Sequence, residues 1–547
     1  MHNKKYFFIY RISTYELGMN ILLIFPPSTI YGKDPTIPAV VLPLGLAYIA
    51  AYLEQHHYEV SIIDARSLSK DRVIVSPGKA LYGLTDDELR LEIEKRAPDI
   101  VGISCMYTAY SGDAHRVAKI TKDINRAIAV VMGGAYASTL PNMALKDNNV
   151  DVVVHGEGEE TFLELVQYIE NKQEYVEMRG ISFKDKQGLI VNNPGRPLIA
   201  DLDTIPFPAR HLLDMNLYLD NKPGFYAMRA PSATMITSRG CPNACIYCTI
   251  QSVWGNRKWR GRSPQNVVNE IEMLHKEYGI KEIYWMDDSA GTSKQRLAEI
   301  CREILRRNLD IKWTTPNGIA HWFLDEETLS LMKMAGCYRI TFGIESGNAQ
   351  TRAFLGKPFP LDQAKRMIRF ANSIGMWTIS TFIIGFSFET EETIMDTINF
   401  ACNSGMDMAV FYLLCPHPGT KVYEIFKEEG LLNLDRILDP TITLSNKDFE
   451  EIGLKLAGRG LRTRYFTPEQ LQRYLSLAYK SFLKASLKHF LNPLKVIRKI
   501  RNAEDSRYVF KIVKIGAKMV FVNIFEKAFM SQDITRYRKN DLEFREL

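Results

Sequence analysis

No run of apolar residues in this 547-residue chain approaches the roughly 20 that a membrane-spanning helix needs. The opening stretch, MHNKKYFFIYRISTYELGMN, lacks a long apolar region and a small-residue cleavage site. The sequence therefore predicts no secretory leader; 1–18 reads as an N-terminal extension, with Met19 an alternative start. Cysteine is sparse: of eight, Cys105, Cys301, Cys337, Cys402 and Cys415 are scattered. That excludes a disulfide-stapled secreted scaffold and points to a reducing cytoplasmic setting. No G-x-G-x-x-G follows the first predicted strand, which argues against NAD or FAD, and no G-x-x-x-x-G-K-[ST] occurs, so there is no P-loop. No strict internal repeat suggests a solenoid.

What is present is an ordinary globular composition, 46% hydrophobic and 24% charged, in a chain too long for one core. The net charge of +6 is uneven. From Lys480 to the C-terminus there are 16 Lys/Arg against 7 Asp/Glu, so this stretch carries all of the positive excess and the remainder is slightly acidic. Lys484, Lys488, Lys495, Arg498 and Lys499 lie among Phe482, Leu487, Leu491 and Ile497. Such a pattern reads first as a solvated helical face and second as a peripheral contact with a membrane or a lipid-like substrate. Nothing in it points to specific nucleic-acid recognition.

Residues 19–170 alternate short apolar strands with helices. Candidate strands are NILLIF, ended by Pro26-Pro27, then VSIIDA, IVGISCMY, AVVMGG and VDVVVHGEGE. This is the pattern of a doubly wound, Rossmann-like parallel sheet. Residues 171–232, with a hairpin around Gln187-Gly188 and the Pro-rich DLDTIPFPAR, read as a linker. Residues 233–430 alternate again, with strands predicted at TMITS, EIYWMDD, KWTTPN, RITFGIES, WTISTFIIGF and AVFYLLC. Six β/α units predict a partial TIM-type barrel. Residues 431–547 read as a basic helical region, in which Thr467, Pro468 and Gln470 form a helix start with a capping box.

The remaining three cysteines stand together as Cys241-Pro-Asn-Ala-Cys245-Ile-Tyr-Cys248, just after the first barrel strand. Three thiolates in one loop can wrap three irons of a cubane cluster and leave the fourth iron open to a chelating small molecule. A zinc knuckle and unrelated buried thiols are the alternatives; zinc asks for a fourth ligand, and no nearby His or Cys offers one.

SRGCPNACIYC resembles the signature of radical S-adenosylmethionine (SAM) enzymes that carry an N-terminal cobalamin-binding domain. The resemblance spans about 20–430. It implies a [4Fe–4S] cluster on Cys241, Cys245 and Cys248 whose open iron binds SAM, and an electron donor such as flavodoxin or ferredoxin. It implies SAM-amino contacts at Asp287 and Asp288, a contact from Glu345 and Ser346 to the amino or ribose end, and an adenine-side contact near Gly385. The loop Gly385-Phe386-Ser387-Phe388-Glu389-Thr390 departs from the family's G-x-P-G-E-T, whereas Pro416-His417-Pro418-Gly419-Thr420 keeps P-x-P-G-T.

In the first domain, Pro26-Pro27, Gly133-Gly134-Ala135-Tyr136-Ala137-Ser138 and Gly156-Glu157-Gly158-Glu159 resemble the cobalamin-binding loops of the same group. Ser104, Tyr107, Gly133, Gly134, Ser138, Gly156 and Glu157 are the implied cobalamin contacts. Asp64-Ala65-Arg66-Ser67-Leu68-Ser69 stands where cobalamin mutases have D-x-H-x-x-G, so no histidine of that motif ligates cobalt; His155 reads as structural. The expected activity is methylation of an unactivated carbon or phosphinate in a small-molecule or lipid-like substrate. A porphyrin-ester cyclase-like or ring-rearranging reaction is the alternative. A tRNA methylthiotransferase would need a second, N-terminal cluster, and only Cys105 precedes Cys241. A non-enzymatic cofactor sensor would bind without cleaving SAM.

Overall fold

The computed structural model describes residues 18–31, 40–68, 72–76, 79–219, 227–357, 359–432, 461–490, 499–500 and 502–514. The first part of the chain supplies β1 (Ile21–Phe25), β2 (Ser28–Tyr31), β3 (Val60–Asp64), β4 (Arg72–Ser76), β5 (Lys79–Tyr82), β6 (Ile100–Ser104), β7 (Ala129–Gly133), β8 (Val152–Val154), β9 (Ile181–Lys184) and β10 (Ile190–Asn192). Seven of these form one sheet in the order β10-β9-β8-β7-β6-β1-β3. β8, β7, β6, β1 and β3 run parallel, and the β9–β10 hairpin is added antiparallel at one edge. The hairpin that the sequence places in the linker therefore continues this sheet, and the extended connection begins only after Asn192. The strands read as continuous Val/Ile/Leu runs because helices cover both faces; Ile21, Leu22, Leu23 and Ile24 are all fully buried. Strand order reverses between β1 and β6, and ligands of such sheets sit outside the carboxyl ends of the strands at that point.

A small second sheet escaped the sequence reading. Pro26-Pro27 ends β1, but the chain resumes as β2, which pairs with β5 in a separate three-stranded antiparallel sheet of order β2-β5-β4. A proline pair lacks the two amide donors that would continue the first ladder, so the strand changes sheets.

β11 (Ser232–Met235) opens the second domain, and β12 (Ser238–Arg239) with β13 (Arg260–Gly261) brackets the cysteine loop as a short antiparallel pair. β14 (Glu282–Trp285), β15 (Lys312–Ile319), β16 (Cys337–Glu345), β17 (Trp377–Ile384) and β18 (Met408–Leu413) follow. The order β11-β14-β15-β16-β17-β18 is sequential and all parallel, a six-stranded partial barrel. Amphipathic helices Pro264–Tyr278, Lys294–Arg306, Glu326–Met334, Leu361–Ser373 and Glu391–Asn403 alternate with the strands. Trp285 and Trp313 stack at 4.1 Å in its core.

The helix Pro468–Phe490 covers the open edge of the barrel. Thr467 and Gln470 form the expected reciprocal cap, at 2.8 and 3.3 Å. Leu471, Ala478 and Phe482 enter the barrel core, and the Tyr479 hydroxyl both donates to Phe411 O and accepts from Phe411 N. The other end of the barrel is closed by 499–500 and 502–514. Arg339 donates to the Tyr508 hydroxyl at 3.0 Å, and Lys499 reaches Asp407 at 2.6 Å. Lys499, grouped in the sequence with a basic surface, is thus buried, because a carboxylate distant in sequence neutralises it. Lys495 and Arg498 lie outside the described residues, as does the extension 1–17. Among the described residues no helix is long and apolar enough to cross a membrane.

Candidate cofactor site between the two domains

The cysteine loop is held from four sides. Gly240, at φ +83°, opens it; a Cβ there would stand 2.2 Å from Lys258 O, so only glycine fits. Asp288, at the end of β14, accepts from Gly240 N at 2.8 Å and from Trp254 Nε1 at 2.9 Å, joining the two ends of the loop. Ile246 N donates to Leu355 O, and Val422 N donates to Ile246 O. Cys241, Cys245 and Cys248 are half-buried and free. Burial pushes the Cys245 thiol up and the Cys248 thiol up to about 12. Metal binding must therefore displace their protons. Among the described residues no three His, Cys, Asp or Glu side chains converge where a single ion would sit. Three thiols spread around one loop, without a fourth ligand, fit a cubane cluster with an open iron better than a lone zinc ion.

Glu345 and Lys357 flank this loop. Glu345 ends β16 beyond a bulge, at φ +66°, a conformation that costs a non-glycine residue energy and clusters at functional sites. Its carboxylate accepts from Lys357 Nζ at 2.8 Å and from Thr381 Oγ1 at 3.3 Å. Lys357 also donates to Gly343 O at 3.2 Å and lies over the Tyr247 ring at 5.8 Å. Burial alone would lower the Lys357 ammonium, but its neighbours, Glu345 foremost, together hold it above the usual lysine range.

Other residues implied by the resemblance are occupied by the protein itself. Asp287 is buried and takes three hydrogen bonds, from Thr237 N, Thr237 Oγ1 and Ser238 Oγ, at 2.5–2.6 Å. Its role is to fix the turn between β11 and β12. The Oδ2 of Asp288 is committed to the loop as described. Ser346 is fully buried against Thr397 Oγ1 at 3.0 Å and accepts from Asn348 N. Gly385, at φ +107°, gives its N–H to Glu389, whose carboxyl is raised to about 7 by burial.

In the first domain, Ser104 and Tyr107 follow β6, with Ser104 half-buried and Tyr107 59% exposed. Gly133 faces open space: a Cβ there would meet nothing nearer than Val154 O at 3.9 Å. This leaves a bare backbone at the strand end, where a flat ligand can approach. Gly134 is a packing requirement instead, since its Cβ would fall 2.6 Å from Cys105 O. Ser138 Oγ accepts from Gly156 N at 2.9 Å, tying the two glycine loops together. His155 bonds to Ser182 Oγ at 2.9 Å, and burial lowers it to about 4.

Glu157 is an interdomain anchor. It is 7% exposed and accepts from Ile199 N, Arg239 and Arg260, each at 2.8 Å. Glu159 takes the other branch of Arg239 at 2.5 Å. Arg239 sits two residues before Cys241, so the loop after β8 is clamped onto the strand that leads into the cysteines. A second contact lies alongside: Ser252 donates to Gly419 O, and a Cβ on Gly419 would stand 2.4 Å from Thr139 Cγ2. The carboxyl ends of β7 and β8 and the cysteine loop thus share one interface. Arg239, Arg260 and Lys357 carried no sequence signal beyond their neighbourhood; their partners lie 12 to 103 residues away.

Residues 36–166 match the B12 binding domain family and residues 235–401 the radical SAM superfamily. An uncharacterized methyltransferase of Pyrococcus horikoshii is 36% identical over 469 residues, spanning 85% of this chain and 92% of its own length. The chain belongs to the B12-binding branch of the radical SAM superfamily. Among other members, the cytidylyl-2-hydroxyethylphosphonate methyltransferase of Streptomyces wedmorensis is 32% identical over 76% of this chain and 83% of its own. The anaerobic magnesium-protoporphyrin IX monomethyl ester cyclase of Rubrivivax gelatinosus is 29% identical over 71% and 66%. The radical SAM methyltransferase TsrM of Kitasatospora setae superposes with a TM-score of 0.61 at 18% identity, covering 76% of this chain and 77% of its own, a likeness of fold.

Proposed function

We propose that this chain is a cobalamin-dependent radical SAM methyltransferase acting on an unactivated carbon or phosphinate of a small molecule. The observation that carries the reading is the shared interface: the open backbone at Gly133 and the loop of Cys241, Cys245 and Cys248 belong to two domains joined by the buried Glu157–Arg239 pair. When bound, the cluster supplies the electron that cleaves SAM, and cobalamin carries the methyl group to be transferred. Cys241, Cys245 and Cys248 hold the cluster. Asp288 fixes the loop that presents them, and Asp287 fixes the strand end before it. Glu345 and Lys357 place opposite, buried charges beside the loop. Ser104, Tyr107 and Gly133 line the cobalamin side. The relatives named as methyltransferases at 36% and 32% identity support methyl transfer over cyclisation.

The test is anaerobic reconstitution with iron, sulfide and cobalamin, followed by product analysis with SAM, a low-potential reductant and a panel of phosphonate and carbon substrates. Equal yields of 5′-deoxyadenosine and S-adenosylhomocysteine are expected. 5′-Deoxyadenosine without S-adenosylhomocysteine would favour the cyclase-like reading, which the Rubrivivax gelatinosus relative supports. A flavodoxin- or ferredoxin-class protein is the proposed electron donor, in an oxygen-poor cytoplasm. Peripheral membrane contact through the C-terminal helices rests on exposed Lys484 and Leu487, the latter 52% exposed. Recovery of all protein in the soluble fraction after liposome flotation would reject it.

A further inference from the structure

We propose that Lys357 sets the reduction potential of the cluster, acting as a positioning residue that holds a fixed positive charge beside the cysteine loop. The inference rests on the cluster assignment above and goes beyond it, because nothing in the three-cysteine spacing predicts a cation there. Lys357 is 9% exposed, a rare state for lysine. Its ammonium is fixed from two sides, by Glu345 Oε1 at 2.8 Å and Gly343 O at 3.2 Å. The segment that carries it is itself bound to the loop: Leu355 O accepts from Ile246 N, and Gly356, at φ +76°, lies so close that a Cβ would meet Ala244 O at 2.7 Å. The ammonium sits over the Tyr247 ring, between Cys245 and Cys248 in sequence.

The physical consequence has a definite sign. Reduction adds one electron, and hence one negative charge, to the cluster; the electron comes from the external donor, and no bond to Lys357 forms or breaks. A buried cation nearby stabilises the reduced state more than the oxidised one, and screening by water is weak at such a site. Glu345 acts in the opposite direction and cancels part of the effect. Removing the lysine charge must therefore lower the midpoint potential, and removing the glutamate charge must raise it.

The experiment is potentiometric titration of the reconstituted, SAM-free holoenzyme, followed by the electron paramagnetic resonance signal of the reduced cluster. Iron and sulfide are counted on every sample. Lys357→Met is expected to keep its iron and sulfide and to show a reduced-to-oxidised ratio about tenfold lower at a fixed potential, equivalent to a midpoint shift of about −59 mV for a one-electron couple. Lys357→Arg, which keeps the charge, should stay near wild type. Glu345→Gln should move the midpoint upward. A fully loaded Lys357→Met with an unchanged midpoint overturns the proposal. If Lys357→Met loses its cluster, Glu345→Gln decides: an upward shift supports the proposal, and an unchanged or lower midpoint overturns it. A wild-type protein that takes up no iron and sulfide would instead overturn the functional reading itself.

Discussion

Replacing Glu157 by glutamine tests whether the seam between the two domains is electrostatic and dry. The substitution keeps the shape of the side chain and removes one buried negative charge. Ile199 N retains an acceptor, and Arg239 keeps Glu159. Arg260 keeps the oxygen it shares with Ile199 N, at 2.8 Å, but loses the contact at 3.0 Å and the negative charge, while it remains 5% exposed. It is left with that amide oxygen and the carbonyl of Ile199 as its polar contacts and no carboxylate. Breaking a buried pair from one side typically costs about 3–5 kcal/mol, since the surviving charge stays desolvated. With a urea dependence of about 3 kcal/mol/M for a large domain, the unfolding midpoint should fall by about 1 M. The assay is equilibrium unfolding followed by tryptophan fluorescence. A double variant, Glu157→Leu with Arg260→Met, should recover most of the loss, because removing both charges also removes their desolvation cost. A Glu157→Gln midpoint that coincides with wild type would refute the reasoning and show that water reaches the seam.

Three further outcomes follow from the site. Alanine at Cys241, Cys245 and Cys248 together should leave a folded protein, with unchanged circular dichroism, that retains almost none of the wild-type iron and sulfide. Asp288→Ala frees Gly240 N and the Trp254 indole, so the loop loosens; the cluster should be stripped by a chelator several-fold faster than in wild type, at similar thermal stability. Glu389 is fully buried, and its carboxyl is raised by burial to about 7 from 4.5. The folded state therefore holds this proton where the unfolded state has released it. The group's contribution is fully present below about pH 4.5 and is lost as pH rises through 7. Glu389→Gln keeps an oxygen for the amides of Gly385 and Phe386 and carries no charge. It should stabilise the protein by about 2–3 kcal/mol at pH 8 relative to its effect at pH 5, measured by urea unfolding at both values. Equal effects at the two values would contradict the assigned titration.

Much of the fold was legible because it is periodic. The parallel strands of the first sheet and the six of the barrel announced themselves as apolar runs separated by helical spacing, and the turn at Gln187-Gly188 by its residue types. The strands of the small sheet, β2, β4 and β5, are short and mixed in composition, so no period marked them. In the candidate site the family resemblance implied cofactor contacts at Asp287, Asp288, Ser346 and Glu157, all of which stand at strand ends. The structure commits Asp287, Ser346, Glu157 and one oxygen of Asp288 to holding the chain in place. A strand end is where ligands bind, but it is also where the chain must turn, and turning needs acceptors for free amides.

By itself the sequence determined what depends on neighbours: strand and helix order, the glycines at tight turns, and the placement of three cysteines on one loop, since eight residues cannot spread them further. Only the tertiary structure decided which charged groups are free to meet a ligand. Glu157 is occupied because Arg260 folds back onto it from 103 residues away, and Lys499 is buried because Asp407 waits at the barrel's base. A charge enters a protein interior only with a partner, and the partner's identity is a property of the folded chain rather than of any local stretch.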